Sequence, residues 1–250
     1  MRKSLIKNMK KIWIIIKRIF KKCLGILYPQ TCCFCGKVSK NNICEDCVGK
    51  IQYIEEPRCK RCGKPIRYEG QEYCYDCQGK EFFFEQGKNV WMHTGVVKQS
   101  IYQFKYRNRR IYGEFYAKEM YRLFGTWIRE NGIDLIIPVP LHAKRRKERG
   151  YNQAEILAEY LGELTGIKVE EDAVVRRKYT SPQKRLGNKE RRKNLHNAFA
   201  VVKDLNSFKN ILIVDDIYTT GSTINEVAKT ITLNFTSKVW FLTISIGQGF

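Results

Sequence analysis

The sequence lacks the phosphate-binding loop GxxxxGK[ST], and this absence excludes the P-loop class of nucleotide-binding proteins. It is also poor in acidic residues. Only 25 Asp and Glu stand against 46 Lys and Arg in 250 residues, which gives a formal net charge of +21. So large an excess favours a polyanionic partner, with nucleic acid first and an anionic membrane surface second. The alternative is that the charge serves solubility alone.

No cysteine follows Cys77, although the chain has ten. Eight of them form four C-x2-C pairs, a repetition that is not typical of secreted disulfide scaffolds. Thiolates at this spacing can hold tetrahedral Zn²⁺, so four pairs predict two closed, structural zinc sites. Neighbouring pairs would share one ion, and an interleaved arrangement of the same ligands is the alternative. The expected ligands are Cys32, Cys35, Cys44, Cys47, Cys59, Cys62, Cys74 and Cys77.

The first 22 residues contain no acidic residue and no long hydrophobic run. Their longest charge-free apolar stretch, Ile12–Ile16, is far too short to span a bilayer. No small-residue cleavage site follows, so we do not expect a secretory signal. The apolar residues recur at helical spacing and predict a basic amphipathic helix over residues 1–26. Such a helix could lie on an anionic membrane, meet a partner or pack on its own protein.

Two further modules are expected, a cysteine-rich zinc module over residues 27–80 and a larger domain over 81–250. In the second, buried-strand patterns alternate with helical ones, which predicts an α/β domain with a mostly parallel sheet. One or two helices are expected over Val97–Ile128, with Gly113 as a possible break. The other expected helices are Ala154–Leu164 and Ser222–Leu233. The expected strands are Phe82–Phe84, Val90–His93, Ile133–Val139, Ile167–Val175, Ile211–Asp215 and Val239–Ser245.

The segment Ile211–Thr223 carries the most specific signal. A buried strand is followed by two adjacent carboxylates, Asp215 and Asp216, then by a loop rich in hydroxyl groups and by a helix start. Unpaired N–H groups and the helix dipole make such a start an anion site. The loop residues are Thr219, Thr220, Gly221, Ser222 and Thr223. The pattern predicts a phosphate site beside ribose hydroxyls or a divalent cation, and it resembles the phosphoribosyl-pyrophosphate (PRPP) motif of type I phosphoribosyltransferases. The alternative is a strand end with a plain turn.

Two basic segments also follow strands. In Pro138–Gln153, Lys144, Arg145 and Arg149 are placed to neutralise phosphates, unless this is an ordinary basic loop. The resemblance to the transferases implies that Leu141 and His142 grip pyrophosphate through the backbone. The second segment, 176–194, has nine basic residues and one acidic residue. It corresponds to the loop that closes over PRPP, although the same charges could contact a nucleic-acid backbone or only solvent.

Aromatic and basic residues alternate in the segment 102–110. This is the composition that stacks on the bases of a single strand while neutralising its backbone. At helical spacing, however, Ile101, Phe104 and Phe115 would face the core instead. Both interpretations remain open from the sequence.

From about Leu27 onward the chain resembles the competence protein ComF (ComFC) family. The resemblance rests on the cysteine pairs, on the sequences PVPLH and RGYNQA at 138–142 and 149–154, on the spacing of Arg177, Thr180 and Gln183, and on the Asp215 motif. It implies a type I phosphoribosyltransferase-like sheet preceded by a double zinc ribbon. It further implies a PRPP pocket in which Asp215 and Asp216 serve the ribose hydroxyls and Mg²⁺ and Thr219–Thr223 the 5′-phosphate. A hood that recognises a nucleobase, as in salvage enzymes, is not recognisable.

The favoured function is therefore a competence factor that handles single-stranded DNA during natural transformation and carries a PRPP-type pocket. The alternative is an active phosphoribosyltransferase on an unidentified base or amine, using Mg²⁺. The resemblance implies a cytoplasmic location, ComFA (a helicase-like ATPase) and DprA as partners, and residues 1–22 leave contact with the inner membrane face open. The expected DNA-binding residues are Lys105, Arg107, Arg109, Arg110, Arg146, Arg149, Arg177, Lys184, Arg185 and Arg191.

Overall fold

A computed structural model describes residues 30–68, 70–178 and 198–247. The expected helix over 1–26 lies outside these residues, as do Lys184, Arg185 and Arg191 in the second basic segment. The chain forms two compact units, Met1–Lys50 and Ile51–Phe250. This division differs from the boundary expected at residue 80, because the last two cysteine pairs fall in the larger unit.

The larger unit is built on a five-stranded parallel sheet with the strand order β1-β7-β6-β2-β3. The inner strands β6 and β7 are almost continuously apolar and buried, as expected of parallel strands covered on both faces. A separate antiparallel pair joins β4 to β5. The strands are β1 (Gly87–Met92), β2 (Leu135–Pro138), β3 (Lys168–Val169), β4 (Val174–Arg176), β5 (Phe199–Val201), β6 (Asn210–Tyr218) and β7 (Lys238–Ile246).

The helices are α1 (Glu45–Val48), α2 (Gly95–Tyr106), α3 (Tyr112–Glu130), α4 (Ala143–Arg149), α5 (Gln153–Thr165) and α6 (Ser222–Thr232). The short α1 belongs to the smaller unit, and the other five belong to the larger one. Helix α5 ends at Gly166 in the left-handed conformation, the usual helix-ending role of glycine. None of the helices within 30–68, 70–178 and 198–247 has the length and apolarity needed to cross a membrane.

One apolar core beside the sheet joins α6, the β4–β5 pair and the last four paired cysteines. Phe84 packs edge-on against Phe241 there, with ring centroids 4.9 Å apart. The N–H of Phe83 bonds to the Asn225 side chain rather than to a neighbouring strand, so the expected strand Phe82–Phe84 does not form. Helices α3 and α5 pack against each other and against strands of the same sheet, α3 on β1 and β7 and α5 on β2, β3 and β6.

Four other elements differ from expectation. The break between α2 and α3 lies at 107–111, and Gly113 is inside α3, where an added Cβ would overlap Ile156 of α5. The expected strand over 167–175 is divided into β3 and β4. The basic residues after β2 form helix α4. His142 caps the start of this helix, and its Nδ1 accepts a hydrogen bond from the Lys144 N–H at 3.2 Å. Strand β6 runs past both carboxylates to Tyr218, because β7 pairs with it as far as Ile246.

The strand order reverses between β2 and β6. The chain leaves β2 toward the edge strand β3, whereas it leaves β6 in the other direction toward β7. Carboxyl ends of parallel strands at such a reversal form an open crevice in which α/β proteins bind ligands. Both sequence motifs, the one after β2 and the one at the end of β6, lie at this place.

Candidate functional site

A cavity of about 740 Å³ opens at the carboxyl ends of β2 and β6. Its volume falls within the roughly 300–1,000 Å³ typical of small-molecule sites. Ten of the residues expected to form the site line it together: Lys105, Leu141, Arg145, Arg149, Asp215, Asp216, Thr219, Gly221, Ser222 and Thr223. The two motifs, separated by about seventy positions in the sequence, therefore form a single site.

The start of α6 forms one wall of the cavity. Its cap, Gly221, has φ +76° and offers no capping side chain to the first-turn N–H groups. An added Cβ at this position would overlap the Tyr218 hydroxyl, so the close approach of the loop to Tyr218 requires glycine. Beside it, the Thr220 and Ser222 hydroxyls lie 2.8 Å apart. A helix start with backbone donors and hydroxyls is a favourable place for a phosphate.

The two carboxylates at the end of β6 differ in surroundings. Asp216 is nearly buried and forms an ion pair with Lys105 of α2, with Nζ and Oδ2 2.8 Å apart. Asp215 accepts the Asp216 N–H at 2.8 Å. Burial, reinforced by the neighbouring Asp216 charge, raises the pKa of Asp215 to about 7. One carboxylate is thus charge-compensated by the protein, and the other holds a proton readily near neutral pH.

Cationic groups surround these carboxylates. Arg176, at the end of β4, has its pKa lowered to about 10, chiefly by burial and then by the positive charge of Arg145. Arg149 donates to Gln153 Oε1 at 2.8 Å and to the Tyr106 hydroxyl at 3.2 Å. Because Arg145 and Arg176 repel each other electrostatically, an anion between them would lower the energy of the pair. The cavity therefore presents positive charge that an anionic ligand would neutralise.

The remaining predicted residues in the described part of the chain do not line the cavity. Thr220 contacts Ser222, and His142 caps α4. Arg110 donates to the Gly150 carbonyl and lies over the Tyr151 ring, whereas Arg146 pairs with Glu155 at 2.6 Å. The others placed outside the cavity are Lys144, Arg107, Arg109 and Arg177.

Some cavity residues were not among the predicted ones. Lys98 lies seven positions before Lys105, and this helical spacing could have placed both on one face of α2. His93 follows directly after β1, and its Nδ1 lies 3.1 Å from Ser245 Oγ. Asn152 Nδ2 donates to the Val139 carbonyl at 3.0 Å and holds the start of α5 against the loop after β2. Arg176 was predicted only as the first residue of the basic segment 176–194, and its place in the cavity follows from the position of β4 in the fold.

The paired cysteines form two four-thiol clusters made by neighbouring pairs, so the interleaved arrangement is wrong. All ligand sulfur atoms within a cluster lie within 4.8 Å of one another. The Sγ atoms of Cys35 and Cys44 are 3.5 Å apart, and those of Cys62 and Cys74 are 3.6 Å apart. Four thiolates about 2.3 Å from a tetrahedral Zn²⁺ would be about 3.8 Å apart, so both clusters fit structural zinc. Cys33 belongs to neither cluster, and burial raises the pKa of its thiol to about 12.

Comparison with known proteins agrees with these features. Residues 23–78 match the family model of the double zinc ribbon domain. Competence protein F of Haemophilus influenzae is 33% identical over 197 residues, which cover 77% of this chain and 85% of that protein. The chain belongs to the competence protein F (ComF) family. Another relative, the DNA utilization protein YhgH of Salmonella typhimurium, is 28% identical over 86% of this chain and 96% of its own length.

More distant relatives of this ComF-family chain include competence protein ComFC of Bacillus subtilis, 24% identical over 75% of this chain and 76% of that protein. Among solved structures, a purine phosphoribosyltransferase from Pyrococcus horikoshii aligns with a TM-score of 0.35 and 15% identity, over 53% of this chain and 74% of that one. The family prediction is confirmed. So are the mostly parallel sheet flanked by helices and the double zinc ribbon before it.

Proposed function

We propose that this ComF-family protein handles single-stranded DNA during its uptake, and that its cavity binds PRPP or a related ribose phosphate. The observation that carries the proposal is that Asp215 and Asp216 line the same cavity as the start of α6. A phosphate on α6 and a ribose on the carboxylates would occupy adjacent parts of the same space. The names of two relatives, a competence protein and a DNA utilization protein, support the DNA part of the proposal.

The carboxylate pair suits Mg²⁺ carried by the ligand better than a dedicated metal site. Mg²⁺ is usually held by one or two carboxylates together with substrate phosphates and water. Within the described residues the cavity offers two adjacent carboxylates, of which Asp216 already pairs with Lys105. Bound with PRPP, the ion would neutralise pyrophosphate, while Arg145 and Arg176 supply further positive charge on the protein side.

Calorimetry with PRPP and Mg²⁺ tests the pocket. The wild-type protein should bind, and the double variant Asp215→Asn, Asp216→Asn should lose binding by at least tenfold because two charged ligand contacts are removed. Asp204→Asn, at an exposed position outside the cavity, is the matched control and should bind as the wild type does. No binding heat for the wild-type protein at any Mg²⁺ concentration would refute the pocket assignment.

A filter-binding titration with single-stranded DNA tests the other half of the proposal. We expect tight binding at low salt that weakens steeply as salt rises, because cations on the protein displace counterions from phosphates. Failure to bind at 50 mM salt would contradict the DNA-handling role. The two measurements are independent, so a protein that binds PRPP and no DNA would favour the phosphoribosyltransferase alternative.

Other parts of the proposal concern segments or partners beyond the described residues. We propose a cytoplasmic site of action, with ComFA and DprA as partners and with residues 1–22 as a peripheral membrane contact. The nine basic residues of this segment and its lack of acidic ones support attraction to anionic lipid. Co-sedimentation with anionic vesicles, with and without residues 1–22, tests the membrane contact.

A further inference from the structure

Two tyrosines lie exposed on one face of α2. Tyr102 and Tyr106 are four positions apart and about half exposed, at 49% and 48%. Their rings are 5.0 Å apart between centroids and tilted by 44°. Phe104 between them is fully buried, as is Ile101, and Phe115 is only 8% exposed, so the core already has its own aromatic residues in this region. The tyrosine pair therefore lies outside the apolar core.

Arg149 extends this pair into the cavity. Its guanidinium carbon lies 5.0 Å from the Tyr106 ring centroid, and its Nη2 donates to the Tyr106 hydroxyl. The second bond, to Gln153 Oε1, fixes the plane of the group. Both acceptors are neutral, and the guanidinium charge also acts electrostatically on Asp215. We call Tyr102, Tyr106 and Arg149 the tyrosine–arginine stack.

Two members of the tyrosine–arginine stack line the cavity proposed for ribose and phosphate groups. Tyr106 and Arg149 line the same space as Asp215 and the start of α6. Gln153, only 1% exposed, also lines it. Its Nε2 interacts with the Tyr151 side chain but has no acceptor at regular hydrogen-bond geometry among the described residues. A buried donor beside planar side chains suits a flat ligand with hydrogen-bond acceptors on its edge.

The charge around the stack points to a polyanion as the carrier of that flat group. The exposed Arg107 and Arg109 follow α2 directly, and Lys98 lies two turns before Lys105 on the same helix. Planar aromatic groups next to cations are the composition that binds unpaired bases, each stacked base contributing about 1–3 kcal/mol. We infer that the tyrosine–arginine stack is a subsite for an unpaired base of single-stranded DNA at the mouth of the cavity. This inference rests on the proposed function and adds a base site to it.

Fluorescence of 2-aminopurine tests the subsite. The probe is a short single-stranded DNA with one 2-aminopurine among thymines, added to the full-length zinc-loaded protein. Stacking on the wild-type protein should quench the fluorescence. Tyr106→Leu should abolish the quenching and weaken binding by about 5- to 100-fold, whereas Tyr106→Phe, which keeps the ring, should stay within about threefold. The salt dependence should be the same for all three proteins, because no charge changes.

Tyr121→Leu is the matched control, since this tyrosine is also exposed but lies outside the cavity on α3. The Tyr121→Leu protein should quench the 2-aminopurine fluorescence and bind the DNA as the wild-type protein does. DNA binding without quenching by the wild-type protein, or equal binding by Tyr106→Leu, would overturn the base subsite while leaving the proposed function intact. No DNA binding by any protein would refute the proposed function and the subsite together.

Discussion

Gly221 shows how one residue determines the shape of the cavity wall at the start of α6. Its positive φ and the nearby Tyr218 hydroxyl exclude any side chain, and Tyr218 itself is fixed by a parallel stack on Phe241 with centroids 4.7 Å apart. The loop geometry thus depends on a rigid aromatic pair beneath it. This dependence separates Gly221 from glycines that only end a helix.

Gly221→Ala should therefore affect both the loop and its ligand. We expect a loss of more than about 2 kcal/mol in unfolding free energy, from left-handed strain plus overlap with Tyr218, and at least a tenfold loss of PRPP affinity. Gly166→Ala is the control, since Gly166 has φ +74° and nothing within 4 Å of an added Cβ. It should cost about 1–2 kcal/mol and leave PRPP binding unchanged. Equal effects of the two substitutions on binding would contradict this account.

The raised pKa of Asp215 predicts a pH dependence of stability. Between its ordinary pKa near 4 and its folded value of about 7, the folded protein keeps a proton that the unfolded chain has released. The stability that the Asp215 proton contributes is therefore present at low pH and is lost as the pH rises from about 4 to about 7. Asp215→Asn should gain stability relative to the wild type as pH rises from 5 to 8.

Urea midpoints of the two proteins at several pH values measure this difference, and changes in zinc binding with pH cancel in the comparison. Asp204→Asn, an exposed carboxylate of the same type, should run parallel to the wild type. A difference between Asp215→Asn and the wild type that does not change with pH would show that Asp215 titrates normally.

At the scale of elements, the two cysteine clusters have different structural roles. The second cluster packs in one core with Phe241, Tyr218 and α6. It is also tied to the sheet through Asn89, whose Nδ2 donates to the Cys62 carbonyl at 2.7 Å and whose Oδ1 accepts from Thr243 at 2.6 Å. The first cluster lies in the unit Met1–Lys50. Zinc bound in the second cluster would therefore support the domain that contains the cavity.

Cys62→Ser and Cys35→Ser separate these roles. Each should reduce bound zinc from two ions to one by elemental analysis. Because a structural zinc contributes about 10 kcal/mol or more of binding energy, Cys62→Ser should lower the melting temperature of the sheet unit by more than about 10 °C. Cys35→Ser should leave that transition near its wild-type value. Equal destabilisation by both would refute the separate assignment.

The sequence predicted which helices and strands form better than it predicted where each of them begins and ends. Continuous apolar runs identify β2, β6 and β7 because both faces of a parallel strand are buried. The pattern could not show that Asp215 and Asp216 stay within β6, since this depends on pairing with β7. Likewise, the place of the second cysteine cluster depends on long-range contacts with Phe241 and α6 that carry no local signal.

The same limit explains what was found and missed in the site. Motif residues with a local reason, such as the glycine and hydroxyls before α6, could be identified directly. Lys105 appeared only as a basic residue among aromatics, and its pairing with Asp216 follows from how α2 packs. The structure buries Phe104 and exposes Tyr102 and Tyr106, a division that composition alone left open.

At the scale of the whole molecule, the net charge of +21 is not one uniform field. Several cations are neutralised locally, as Arg146 is by Glu155 and Lys118 by Glu114 at 2.6 Å each. Others face the cavity or lie exposed after α2, among them Arg107 and Arg109. Only cations that meet phosphates release counterions, so total charge overstates the number of DNA contacts.

This distinction can be measured from the salt dependence of single-stranded DNA binding. Each cation that contacts a phosphate should contribute about 0.7 to the slope of log affinity against log salt. Arg107→Ala combined with Arg109→Ala should therefore reduce the slope by about 1.4, with the greatest loss of affinity at low salt. Lys118→Ala removes the same kind of charge from α3, away from the cavity, and should leave the slope within error of the wild type. If all cations acted only through net charge, the lysine variant would lower the slope as much as either arginine variant does alone. That result would replace a localised DNA path along α2 with a diffuse electrostatic attraction.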